Sequence, residues 1–175
     1  MRTVRFLEER ELTYAPPRGN VLLVSCMDLR LLDDIIHFMD LDNLTNRYDH
    51  IVFAGAALGA LGVPTSQGLV KPHWRETFFD HLGAAVELHD VRDVYILEHR
   101  QCGAYSSVFK VCPDFGNSAA EQREEERCHL KYADALEAEI RQWAKQQGRK
   151  MGVNKFLMDL RGQVITLPRA GRKAK

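Results

Sequence analysis

The stretch Val21–Arg30, read as VLLVSCMDLR, constrains the fold of this chain more than any other. Val21 to Ser25 are mostly aliphatic and β-branched, and the run has the length of a strand buried in a parallel sheet. Cys26, Asp28 and Arg30 then follow at alternate positions. A strand ending in such groups delivers them to the rim of a sheet, where open α/β sheets bind their ligands. A second apolar run, Val94-Tyr95-Ile96-Leu97-Glu98, closes in His99-Arg100-Gln101-Cys102-Gly103 and brings partners for Cys26.

The intervening residues have the pattern of alternating strands and helices. Leu31–Leu44 repeats apolar residues at helical spacing, with Asp33 and Asp34 near its front, where the helix dipole favours them. Tyr48–Ala54 reads as the next strand. It runs into Gly55–Gly62, expected to be a loop that forms a tight wall beside the site. That loop has neither the spacing of a dinucleotide fingerprint nor the lysine of a phosphate loop. Residues 63–73 read as an irregular connector, and Trp74–His89 as a helix with one buried face. Ala104–Val108 reads as a short helix. Ala119–Gln147 is a long one whose charged opening, Glu121–Arg127, is expected to face solvent and which Gly148 ends. Val153–Leu160 and Gln163–Leu167, joined at Arg161-Gly162, form a hairpin. This order predicts an α/β fold: a mostly parallel central sheet flanked by helices, with a C-terminal antiparallel edge hairpin. Parallel strands share a direction, so Cys26 and His99 are expected on one rim.

At 175 residues, 45% of them apolar, the chain suits one domain over 1–175 with a sizeable core. That unit includes an N-terminal helical arm over 3–13, stopped by Pro16-Pro17, and a basic tail over 169–175. Lys and Arg number 24 and so do Asp and Glu, so the balance offers nothing to a nucleic acid, and the short tail reads as solvated. No apolar run approaches the roughly 20 residues that span a bilayer. The N-terminal residues lack the apolar core of a secretory signal. No nucleic-acid or membrane partner is expected, and the expected address is cytoplasmic. In that compartment Cys112 and Cys128 read as ordinary cysteines rather than a staple.

Cys26, His99 and Cys102 are suitable zinc ligands. Two thiolates and an imidazole match a borderline-soft ion and leave one tetrahedral position. The plainer alternative makes both cysteines small core residues and His99 a satisfied polar group. Asp28 either occupies the fourth position or accepts a hydrogen bond from zinc-bound hydroxide, and Arg30 holds that carboxylate in a charge-assisted pair. A plain ion pair after a strand is the alternative there. Of the other histidines, His37, His50, His73, His81, His89 and His129, most read as surface or satisfied core residues; any could pass a proton only in the loosest sense, and none is assigned as a shuttle.

Cys26-Met27-Asp28-Leu29-Arg30 with His99-Arg100-Gln101-Cys102-Gly103 resembles the β-class carbonic anhydrase family, over roughly residues 20–167 in element order. The resemblance implies that Cys26, His99 and Cys102 ligate zinc and that Asp28 and Arg30 are the catalytic dyad. It implies reversible hydration of carbon dioxide, a small neutral substrate, by zinc-hydroxide attack. It also implies a homodimer or an assembly of dimers, with the N-terminal helix reaching to a neighbour. The chain departs from the family at Val52-Phe53, where an Arg-Asn pair is common, and at Trp74-Arg75-Glu76, where a serine-containing turn is common. Two alternatives follow: a related zinc hydrolase of carbonyl sulfide or carbon disulfide, favoured by the apolar 51–61 segment, and a non-catalytic zinc-stabilised protein with Asp28 as permanent ligand. A redox dithiol of Cys26 and Cys102 would leave His99 without a role.

Overall fold

The computed structural model describes residues 17–168. The expected arm at 3–13 and basic tail at 169–175 lie outside them. In chain order the elements are β1 (Val21–Cys26), α1 (Leu32–Leu41), β2 (Tyr48–Phe53), α2 (Ala57–Ala60), β3 (Pro64–Thr65), β4 (Gly68–Leu69) and α3 (Pro72–His89). Then come β5 (Asp93–His99), a π-helical turn (Ala104–Val108), α4 (Ala119–Gln146), β6 (Gly152–Met158) and β7 (Val164–Thr166).

The main sheet has the order β2-β1-β5-β6-β7. β1 pairs in parallel with β2 and with β5, β5 pairs in parallel with β6, and β7 returns antiparallel along β6. This is the mostly parallel sheet with a C-terminal edge hairpin that the element order predicts. The chain leaves β1 toward β2 on one side and comes back to β5 on the other. The carboxyl ends of β1 and β5 therefore flank the place where the winding reverses, the usual crevice for a ligand in such sheets.

Alternation along β1 builds both layers. Leu22, Val24 and Cys26 face a core that includes Phe78 and Leu82 of α3 and Ala133, Leu136 and Ile140 of α4. Val21 and Leu23 face the opposite core, with Ile35, Phe38 and Met39 of α1. All six residues of β1 are buried, which is why its sequence is nearly unbroken by polar side chains. Phe38 packs edge-on to Phe156 at 5.0 Å, and Tyr95 lies 5.0 Å from the same ring, so one aromatic cluster locks α1 to β5 and β6. Helix α4 opens with a reciprocal cap: Ser118 Oγ accepts from the Glu121 amide at 3.3 Å, and Glu121 accepts from the Ser118 amide at 3.1 Å.

Four expectations need correction. Gly55–Gly62 is not all loop, because Ala57–Ala60 close a helical turn, α2, packed between sheet and α4. The 63–73 connector contains the small antiparallel pair β3–β4, and α3 begins at Pro72, where a proline needs no backbone donor. Cys112 and Cys128 are joined as a disulfide with Cα atoms 6.6 Å apart. The chain folds back after the π-helical turn, where Cys112 N–H bonds the Tyr105 carbonyl, and this carries the thiol to the flank of α4. The charged opening of α4 is not wholly solvated, since Glu125 is 1% exposed. Among the described residues no helix is long and apolar enough to cross a membrane.

Close approach of α2 to β2 depends on Gly59. A Cβ there would lie 2.6 Å from Phe53 Cβ and 2.7 Å from the Ala54 carbonyl oxygen. Gly59→Ala is expected to lower stability by about 1–3 kcal/mol, read from the urea midpoint. A variant as stable as the parent would show that the contact is not this tight.

Candidate metal centre

Cys26 is the last residue of β1 and His99 the last residue of β5. The parallel pairing of those strands brings the two ends together. The chain then turns through Gln101, whose φ of +54° is unusual for a side-chain-bearing residue, and returns Cys102 to the same spot. One donor atom from each of Cys26, His99 and Cys102 lies within 4.8 Å of the others, and all three residues are buried. The two sulfurs are 3.8 Å apart.

The imidazole is set for a further bond. His99 Nδ1 lies 2.9 Å from the Arg100 carbonyl, an acceptor only, so Nδ1 carries the proton. Nε2 is buried and makes no hydrogen bond within the described residues. A buried lone pair left without a donor costs free energy, and a cation is one way to satisfy it. With two sulfurs beside it, the donor set suits a borderline-soft metal ion.

Electrostatics within the group follow from its crowding. The contact with Cys102 holds the Cys26 pKa down at about 4 against the cost of burial, with His99 and the Gly55 amide acting the same way. Cys102 is pushed up by the same contact and by its own burial. Burial disfavours an imidazolium at His99, but the Cys26 sulfur holds its pKa above the ordinary value. A divalent ion would displace these protons and let both sulfurs ionise.

Asp28 and Arg30 stand at the mouth of this group. Arg30 Nε donates to Asp28 Oδ1 at 2.8 Å and Nη2 donates to Oδ2 at 2.6 Å. The Arg30 amide adds a bond to Oδ1 at 3.0 Å. This clamp holds the Asp28 pKa down at about 2. Asp28 Oδ2 lies 3.9 Å from His99 Nε2, so the carboxylate borders the cluster. Arg30 Nη2 also donates to the Gln101 carbonyl at 3.2 Å, which ties the pair to the turn between His99 and Cys102.

The expected wall at Gly55 is present at its first residue. The Gly55 amide donates to Cys26 Sγ at 3.3 Å. Its φ is +80°, and a Cβ would meet Ala104 Cβ at 3.2 Å and the Tyr105 ring at 3.3 Å, so neither the backbone nor the space tolerates a side chain. Phe53 turns inward on Trp74 and Phe78 at 6.0 and 6.5 Å, and Trp74 continues to Phe109 at 6.0 Å. The flank of the centre beyond Cys26 is therefore aromatic.

Sequence reasoning overlooked two buried carboxylates. Glu98 Oε1 accepts from the Ala57 amide at 2.9 Å, and Oε2 meets His129 Nδ1 at 2.9 Å, with the Tyr105 ring 4.3 Å from that imidazole. His129 is thus the satisfied core histidine expected of it. Glu125 accepts from the Gln101 amide at 2.5 Å and from Arg100 Nε at 2.9 Å. One signal was legible: Glu125 and His129 are four apart and continue the buried stripe of Tyr132, Leu136 and Ile140 back into the charged block.

No family model matches the chain. An uncharacterized protein of Rickettsia bellii is 30% identical over 90 residues, covering 51% of this chain and 51% of the relative. One of Rickettsia conorii is 31% identical over 87 residues, covering 50% of this chain and 44% of the relative. The chain thus matches about half the length of these curated relatives. Among solved structures, the β-carbonic anhydrase CafD of Aspergillus fumigatus aligns with a TM-score of 0.54 at 14% identity, over 88% of this chain and 94% of that one. The Coccomyxa β-carbonic anhydrase in complex with acetazolamide gives 0.53 at 13% identity, over 85% and 72%. A tetrameric β-carbonic anhydrase of Sordaria macrospora gives 0.52 at 13% identity, over 90% and 83%. The fold is that of the β-carbonic anhydrases.

The Arg30 clamp makes a pH prediction. A carboxylate whose folded pKa is depressed contributes stability that is complete above its unfolded pKa near 4 and is lost as pH falls through the folded value of about 2. In metal-free protein, Arg30→Gln is expected to raise the Asp28 pKa toward the ordinary carboxylate range, followed by carboxyl carbon NMR. An Asp28 pKa that stays at about 2 in the variant would show that Arg30 is not its cause.

Proposed function

We propose that this chain is a zinc-dependent carbonic anhydrase of the β type, catalysing the reversible hydration of carbon dioxide to bicarbonate. The observation that carries the reading is the meeting of Cys26, His99 and Cys102 around an unbonded, buried His99 Nε2, with the Asp28–Arg30 clamp 3.9 Å away. In this reading Cys26, His99 and Cys102 hold the zinc. Zinc held there would supply an acidified water and a positive charge.

The remaining work belongs to side chains of this chain. Asp28 is the candidate hydrogen-bond acceptor at the mouth. Both of its oxygens already accept from Arg30, which favours a carboxylate that borders the metal over one that closes its shell. Arg30 orients Asp28 and keeps it ionised through the working pH range. The aromatic flank of Phe53, Trp74 and Phe109 keeps water from that side and suits a small neutral substrate. Assembly as a homodimer or a set of dimers belongs to the same reading. The Sordaria relative in fold is tetrameric, and Met27 and Leu29 beside the mouth are 67% and 90% exposed.

One observation favours a second substrate. Phe53 stands where the family's polar pair would be, and its ring is part of the aromatic row. An apolar flank of this kind suits carbonyl sulfide or carbon disulfide, whose electrophilic carbon is open to the same attack. Sulfide release on incubation with either compound would identify it.

The test is stopped-flow hydration on zinc-loaded protein. Asp28→Asn is expected to keep most of the zinc and to lower kcat/KM for hydration by about 10–100-fold, as loss of a positioned acceptor does. Cys102→Ser is expected to lose zinc, measured by elemental analysis after dialysis, and to unfold at a lower temperature. Blank-level hydration by the zinc-loaded parent across mildly acidic to alkaline pH would overturn the activity. Full, tight zinc in Cys102→Ser would overturn the ligand set.

A further inference from the structure

Glu125 is 1% exposed, lies in the charged opening of α4 and has no role in the chemistry above. Its surroundings are specific. Oε1 accepts from the Gln101 amide at 2.5 Å. Oε2 accepts from Arg100 Nε at 2.9 Å, and Arg100 Nη2 lies 2.8 Å from the same oxygen. Both oxygens of a buried carboxylate are thus used on two successive residues of the turn that links His99 to Cys102.

The Gln101 amide belongs to the same peptide plane as the Arg100 carbonyl. That carbonyl is the acceptor of His99 Nδ1 at 2.9 Å. In a trans peptide the N–H and the C=O point in opposite directions. Holding the N–H toward α4 therefore aims the C=O at the imidazole. The next carbonyl, that of Gln101, accepts from Arg30 at 3.2 Å. One carboxylate accordingly fixes the turn on which both the His99 ring and the Asp28 clamp depend. A bond from an anion to the N–H also polarises the peptide and strengthens its carbonyl as an acceptor. Histidines that bind metals are commonly oriented through the other ring nitrogen by a carboxylate or a carbonyl, and here the two stand in series.

We infer that Glu125 is a positioning residue of the metal centre, acting through the Arg100–Gln101 peptide to set the orientation and tautomer of His99. The inference rests on the proposed metal site but not on the proposed reaction. Glu125 touches neither the metal donors nor a substrate. Its effect is to hold Nε2 facing the two sulfurs before an ion arrives, so that less ordering is left to binding.

The experiment measures zinc affinity by chelator competition in the parent and two variants. Glu125→Gln removes the charge and keeps the shape. Arg100→Leu with Glu125→Leu removes both members of the ion pair and leaves no unpaired buried charge, an exchange that folds tolerate well. Both variants are expected to weaken zinc binding by about 10–100-fold. In the metal-free proteins, the Nδ1 proton resonance of His99 is expected to move upfield or broaden in both. Glu137→Gln is the control. It disturbs another buried carboxylate of α4, whose partners are Arg141 and Lys155, and is expected to lower stability without changing zinc affinity or the His99 resonance. Unchanged zinc affinity in both folded Glu125 variants would overturn the inference, as would an equal loss in Glu137→Gln. A parent that binds zinc but hydrates nothing would defeat the proposed activity alone. A parent that binds no zinc would defeat both.

Discussion

Two sulfurs 3.8 Å apart in a buried pocket cannot both ionise without a cation nearby. The chain nevertheless brings them together and sets an imidazole beside them. Burial of this kind is unfavourable for an ordinary core, where two methyl groups would pack at no electrostatic cost. The surrounding structure offsets it by supplying donors to one sulfur. The Gly55 amide donates to Cys26, and the Cys102 sulfur lies in contact with it. The sheet fixes the arrangement, because β1 and β5 are adjacent and parallel and end within one residue of each other.

Much of this was legible in the chain before any coordinates. The apolar run of Val21–Ser25, buried throughout, announces a central strand, and the alternation of Cys26, Asp28 and Arg30 places chemistry at its end. Spacing of His99 and Cys102 on a second apolar run supplies the partners. The N–H and C=O partners that hold the site's side chains in place were not legible, because they come from residues with no local pattern of their own. Glu98 looks like a polar residue at a strand end, yet it is fully buried and bonded to α2 and α4. Glu125 sits among six other charged or polar residues, and only the four-residue step to His129 separates it from them.

Other misreadings have the same origin. The Gly55–Gly62 segment has too many glycines to read as helix by propensity, and tertiary contact overrides that preference. Ala56 takes a φ of +44°, and the following turn is closed by the Ala60 amide on the Ala56 carbonyl at 3.0 Å. The Cys112–Cys128 disulfide depends on where the chain goes after the π-helical turn, and spacing alone does not report it. The pairs Lys155–Glu137 and Lys155–Asp134 are likewise invisible until β6 is laid against α4.

The two overlooked carboxylates play parallel parts, each holding a backbone amide close to one donor residue. Glu98 holds the Ala57 amide, two residues beyond the Gly55 amide that donates to Cys26. Glu125 holds the Gln101 amide, within the peptide whose carbonyl orients His99. One donor atom from each strand is thus set by a backbone segment that a buried carboxylate restrains. Both carboxylates engage α4, Glu125 as part of it and Glu98 through His129. A displacement of α4 would therefore loosen Cys26 and His99 together, although α4 contributes neither. The long helix lies on the face of the sheet that Cys26 points into, and the apolar stripe that seats it, Leu136, Ile140 and Ala144, bears on the geometry of the candidate centre as well as on stability.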